Sequence, residues 1–95
     1  MTLNNLATAL QKTRDAGLFP VDVIIMNMVV SRGDRVPVMD VVKNCTHSSP
    51  ATVHARIKLL VDIEVLKKVE SASDLRLKYL EKGGQFDSMV QSLTN

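Results

Sequence analysis

The stretch Ser-Ser-Pro-Ala-Thr-Val-His-Ala-Arg-Ile-Lys-Leu-Leu, from Ser48 to Leu60, constrains this chain more than any other. Ser49 offers a hydroxyl to cap the first free amides of a helix, and Pro50 suits the first helical position. The spacing predicts a helix over residues 49–62. Val53, Ile57 and Leu60 recur at i, i+4 and i+7, a narrow apolar stripe that anchors one side. Thr52, Ala55 and Arg56 lie off that stripe, so the other side presents small, polar and basic groups. Ahead of it, Val38, Val41, Val42 and Cys45 form a second apolar segment, separated by the short turn Thr46-His47-Ser48. Two short helices joined by a tight turn outline a helix-turn-helix, whose second helix is built to enter a DNA major groove.

The residues that follow extend the motif. Val65, Leu66 and Val69 sit in a β-rich run with Lys67 and Lys68, and the polar turn Ser71-Ala72-Ser73-Asp74 comes next. Leu75, Leu77 and Tyr79 then alternate with Arg76 and Lys78, the period of a half-buried strand. A helix-turn-helix followed by a basic two-stranded hairpin is a winged helix. Over roughly residues 20–90 the chain resembles MarR-type transcription regulators. The resemblance is carried by Thr52-Val53 through Leu60 as recognition helix, Val65-Leu66 as strand, Asp74-Leu75-Arg76 as wing, and Leu80-Glu81-Lys82-Gly83 as the start of the closing helix.

That resemblance implies a DNA-binding regulator of two-fold symmetry. Its DNA face would comprise Ser48, Ser49, Thr52, His54 and Arg56 on the recognition helix, with Lys67, Lys68, Arg76 and Lys78 on the wing. Arg76 is the wing residue expected in the minor groove, with Asp74 orienting it. Two positions depart from the family pattern. The family's helices often read Thr-Val-Ser-Arg where this chain has His54 and Ala55, leaving Arg56 as the candidate to reach a guanine edge. Glu64 stands where a helix-ending glycine is usual. The family's ligand pocket has little room in so short a chain, so a constitutive binder is expected rather than a ligand-sensing switch.

Elsewhere the pattern is helical. Residues 2–16 place Leu3, Leu6, Ala7 and Leu10 on one stripe, closed by Gly17. From Pro20 onward Val21, Ile24, Ile25, Met28 and Val29 form another, and Val23, Met26 and Val30 extend it around most of the helix. A helix so apolar is either central to the core or in contact with a partner. Ser31-Arg32-Gly33-Asp34 is a turn, Arg35-Val36 a short third strand, and Pro37 the opening of the next helix. Phe86, Met89, Val90 and Leu93 mark a last helix over 85–93. The expected fold is one mainly α domain with a small β-hairpin wing, ordered α-α-(β)-α-α-β-β-α. Its terminal helices, 2–16 and 85–93, are candidates to build a homodimer.

Composition bounds the function. At 95 residues with no Trp, the core must be aliphatic, and Met26, Met28, Met39 and Met89 read as core filling. The net charge is only +2, but from Lys43 to Tyr79 seven basic residues face four acidic ones. One cysteine excludes an internal disulfide and, with no signal-peptide pattern, points to the cytoplasm. The apolar run 21–30 falls well short of the about 20 residues of a membrane span.

Cys45, His47 and His54 lack the paired spacing of a structural zinc site, and Cys45 reads as a small core residue, with redox sensing the lesser reading by family analogy. No phosphate-cradling loop or nucleophile motif occurs, so neither an enzyme nor a cofactor is expected. The competing function is a winged helix used as a protein-interaction module on a transcription or replication complex. The small net charge, Ala55 and the apolar 21–30 surface favour that alternative.

Overall fold

The structure, a computed structural model, describes residues 3–74 and 76–94. Helices α1 (Leu3–Asp15) and α2 (Pro20–Ser31) lead into strand β1 (Arg35–Pro37), then α3 (Val38–Asn44) and α4 (Pro50–Asp62). Strands β2 (Leu66–Glu70) and β3 (Lys78–Lys82) follow, and α5 (Phe86–Thr94) closes the chain. The sheet runs β1-β3-β2, antiparallel throughout, with Val36 opposite Leu80 and Val69 opposite Tyr79. This is the winged-helix order expected from the sequence, third strand included.

The core is aliphatic. Val53, Ile57 and Leu60 of α4 are buried with Ile25 and Val29 of α2, Val41 of α3, and Val36, Leu66 and Leu80 of the sheet. Each such side chain gives roughly 1.5–3 kcal/mol on burial. Ser49 caps α4 as anticipated: its hydroxyl accepts the Thr52 N–H at 3.1 Å and donates to Thr52 Oγ1 at 2.9 Å. Pro37 both ends β1 and stands as the residue before α3, one position earlier than expected.

Several expectations change. In α2 the buried face is Asp22, Ile25, Met26 and Val29, while Ile24 and Val30 face solvent. The outward stripe is Pro20, Ile24, Asn27 and Ser31, and on the other side Asp22 is held inward by the pairing described below. Strand β3 begins at Lys78, three residues later than the alternation suggested, because Ser71–Leu77 close on themselves. Within that loop Ser71 N–H donates to the Leu77 carbonyl (2.9 Å) and Leu77 N–H to the Asp74 carbonyl (3.0 Å). Leu75 lies outside the described residues, Leu77 is exposed, and the inward parity belongs to Leu80 rather than Tyr79.

Leu80-Glu81-Lys82 completes β3 instead of starting a helix; α5 begins only at Phe86, after Gly83-Gly84. Met39 is exposed and fills no core, although Met26 is buried and Met28 and Met89 partly so. The α1 leucines are likewise outside the core: Leu3, Leu6 and Leu10 are all exposed, and the buried residue of α1 is Thr13, whose hydroxyl donates to the Ala9 carbonyl at 2.8 Å.

The end of α4 accounts for the unusual Glu64. Glu64 N–H donates to the Val61 carbonyl (3.0 Å) and Val65 N–H to the Leu60 carbonyl (2.9 Å), a Schellman closure with Glu64 in the left-handed position at φ 65°. Gly17 and Gly33 hold the equivalent positions after α1 and α2. The turn is also a junction: Gly83 N–H donates to Val65 O and Gln85 N–H to Glu64 O, and a Cβ on Gly83 would overlap the Glu64 carbonyl oxygen. Glu64→Gly is expected to raise stability by about 0.5–1 kcal/mol, read as a higher denaturant midpoint at unchanged m-value. An unchanged or lower midpoint would show that the side chain earns its place at the turn.

Candidate nucleic-acid interface

With Val53, Ile57 and Leu60 buried, the opposite face of α4 is open to solvent and consists of Ala51, Thr52, His54, Ala55 and Lys58. Thr52 and His54 lie where the sequence put them. Ser49 is exposed, but its hydroxyl proton is engaged with Thr52, and Ser48 is half-buried in the turn. Lys58 was missed as a candidate; its place at i+3 from Ala55 on the polar side was the available signal. It lies 3.5 Å from Asp62, a weak exposed pair one helical turn away.

Arg56 is the main correction. Its Nε donates to Asp22 Oδ1 at 2.8 Å and its Nη2 to Asp22 Oδ2 at 2.6 Å. Asp22 is fully buried, and Arg56 retains 15% exposure. Asp22 Oδ2 also accepts the Phe19 N–H at 2.7 Å, securing the start of α2, and the Phe19 ring lies 4.0 Å from the guanidinium carbon. The hydrogen bond to Asp22 holds the Arg56 pKa above the ordinary arginine value. With its Nε–Nη2 edge on a buried carboxylate and the Phe19 ring against its carbon, the guanidinium ties α2 to α4. Sequence spacing could not show this, since the partner is 34 residues away.

The wing behaves as its Asp-x-Arg pattern suggested. Asp74 Oδ1 accepts the Arg76 backbone N–H at 3.0 Å and its Nε at 3.3 Å, leaving an Arg76 side chain that is 92% exposed. The other cations are divided. Lys68 and Lys78 share the sheet face that carries Leu66 and Leu80, whereas Lys67 projects from the opposite face beside Glu81. On that second face Arg35 Nε donates to Glu81 at 2.7 Å and its guanidinium lies 5.2 Å from the Tyr79 ring. Lys67, Lys68 and Lys78 are exposed, with no ion pair among the described residues.

Cys45 is buried in the core beside α3, and burial pushes its thiol pKa up, the reverse of what a reactive thiol needs. His47 and His54 are both exposed, and the described residues contain no cluster able to hold a metal ion. No helix among them is long and apolar enough to cross a membrane. An open apolar groove of about 530 Å³ lies between α1, α2 and α5, lined by Val23, Met26, Val30, Phe86, Val90 and Leu93 among others.

An exposed helix face presented by a helix-turn-helix, with an arginine-tipped wing behind it, defines a winged helix. No protein-family model and no curated protein matches the sequence. Solved structures do match in fold. The chain superposes on an S. aureus MepR mutant bound to an oligodeoxyribonucleotide with a TM-score of 0.81 at 16% identity, covering 96% of this chain and 66% of that one. The transcriptional regulator Tm0710 of Thermotoga maritima gives 0.76 at 16% identity, over 92% and 60%. An E. coli MarR mutant complexed with operator DNA gives 0.73 at 6% identity, over 95% and 63%. This chain thus spans 60–66% of the length of those proteins, and the likeness is one of fold.

Proposed function

We propose that this protein is a double-stranded DNA-binding transcriptional regulator that lays α4 in the major groove, with the 67–78 wing on the flanking backbone or minor groove. The carrying observation is the division of labour on α4: its apolar stripe is wholly buried while Thr52, His54, Ala55 and Lys58 have no packing duty. Arg76, held by Asp74 at an otherwise open tip, supports the wing's part in this reading. So do the DNA-bound MepR and MarR structures of the same fold. Amides at the start of α4 and the Thr52 hydroxyl suit phosphate oxygens, and Lys67, Lys68 and Lys78 supply charge on either side of the hairpin.

We place the protein in the cytoplasm as a homodimer joined through its terminal helices. Support for the dimer comes from α1, whose Leu3, Leu6 and Leu10 form an exposed apolar stripe on a helix packed against α5. Two copies would then read two half-sites.

A salt series on duplex DNA tests the function. Affinity should fall steeply with ionic strength, with a slope near −0.9 per phosphate neutralised. Arg76→Ala should weaken binding by about 1–3 kcal/mol without altering thermal stability, because the side chain is 92% exposed and its ion pair among the described residues is with Asp74. A wild-type protein that ignores duplex DNA at about 50 mM salt would sink this reading in favour of a protein-docking winged helix.

A further inference from the structure

We propose that the α4 face selects A·T-rich duplexes by packing against thymine methyl groups, in place of the arginine-to-guanine fork; this rests on the DNA-binding reading above. The commonest base-specific contact is a bidentate Arg or Lys on guanine O6 and N7. The arginine of α4 is Arg56, and the Nε–Nη2 edge of its fork is committed to buried Asp22 at 2.8 and 2.6 Å, while the side chain keeps only 15% exposure. Lys58 sits in the second half of α4, whereas it is the N-terminal residues of a recognition helix that meet base edges.

What remains at that end is Ala51, Thr52, His54 and Ala55, all exposed. The two alanines offer methyl groups. Thr52, whose hydroxyl oxygen accepts the Ser49 proton, adds a γ-methyl of its own. Alanine and threonine methyls are the groups that pair with the C5-methyl of thymine, and His54 adds a donor or acceptor beside them.

The wing points to the same composition through different chemistry. Arg76 is 92% exposed and oriented by Asp74, and narrow A·T minor grooves carry the deepest negative potential for an inserted arginine. A helix that reads thymine methyls and a wing that favours narrow grooves reinforce each other on one duplex.

The test compares three duplexes of equal length at one salt concentration: an A·T-rich one, a G·C-rich one, and the A·T-rich one rebuilt with deoxyuridine for thymidine. Uracil keeps every hydrogen-bonding group and removes only the methyl. The A·T duplex should bind most tightly, and uracil should cost about three- to fivefold for each methyl contacted, from a methyl's burial energy. Ala55→Gly, or Ala55→Ser where the glycine loosens the helix, should shrink the uracil penalty while leaving the salt slope as it was. Equal binding of the thymidine and deoxyuridine duplexes, or tighter binding of the G·C-rich one, overturns the methyl-reading proposal and leaves DNA binding standing. Absence of binding to all three at low salt overturns both.

Discussion

Asp22→Ala should lower the unfolding free energy by about 3 kcal/mol or more, the largest loss expected from any single exposed-to-polar or polar-to-apolar change in this chain. Asp22 has no exposure, and its two oxygens accept three hydrogen bonds, two from Arg56 and one from the Phe19 backbone. Alanine removes both acceptor oxygens, and with them all three hydrogen bonds, and strands a guanidinium under the Phe19 ring. Arg56 keeps some contact with water, which places the loss toward the lower end of the range for broken buried pairs.

A domain of this size has only about 5–15 kcal/mol in hand, and each kcal/mol moves its midpoint by roughly 4–8 °C, so thermal unfolding should come at least about 12 °C earlier. Asp22→Asn keeps an acceptor for Phe19 and part of the arginine contact, so it should lose less. Replacing the pair together, Asp22→Leu with Arg56→Met, should recover much of the deficit, since an apolar pair of similar volume carries no desolvation cost. An Asp22→Ala protein melting within a few degrees of wild type would show that the tie does not hold α2 to α4.

Ala55→Glu should leave the fold intact and abolish measurable duplex binding, a loss of about 3 kcal/mol or over a hundredfold. Ala55 is exposed and buries nothing in the monomer, and glutamate is a good helix former, so thermal stability should shift by well under 1 kcal/mol. On the proposed DNA face, however, the new carboxylate meets a polyanion at close range and must shed its water there. Asn4→Glu, on the exposed side of α1, is the control and should change affinity only through net charge. If Ala55→Glu binds as wild type does, α4 is not the groove-reading element.

Much of the fold was legible because it rests on local chemistry. Ser49, Pro50 and the Val53-Ile57-Leu60 stripe state a helix, its start and its buried face within a few turns of chain, and the structure agrees at each point. The Asp74-x-Arg76 element is equally local, one carboxylate holding the residue two places on. Where reading went astray, the deciding partner was distant or the local pattern was neutral. The alternation from Leu75 to Tyr79 suggested a strand and a parity. The loop hydrogen bonds from Ser71 to Leu77 delayed the strand, and pairing with β1 and β2 turned Leu80 inward.

The sequence by itself determined the order of elements, the anchored stripe of α4 and the orientation of Arg76, since each depends on neighbours within about one or two turns. Only the tertiary structure decided what α4 shows to the outside. One buried carboxylate at position 22 takes Arg56 as its partner from 34 residues away, because a charge left unpaired there would be too costly, and so leaves methyl groups, a histidine and Lys58 as the exposed face of α4.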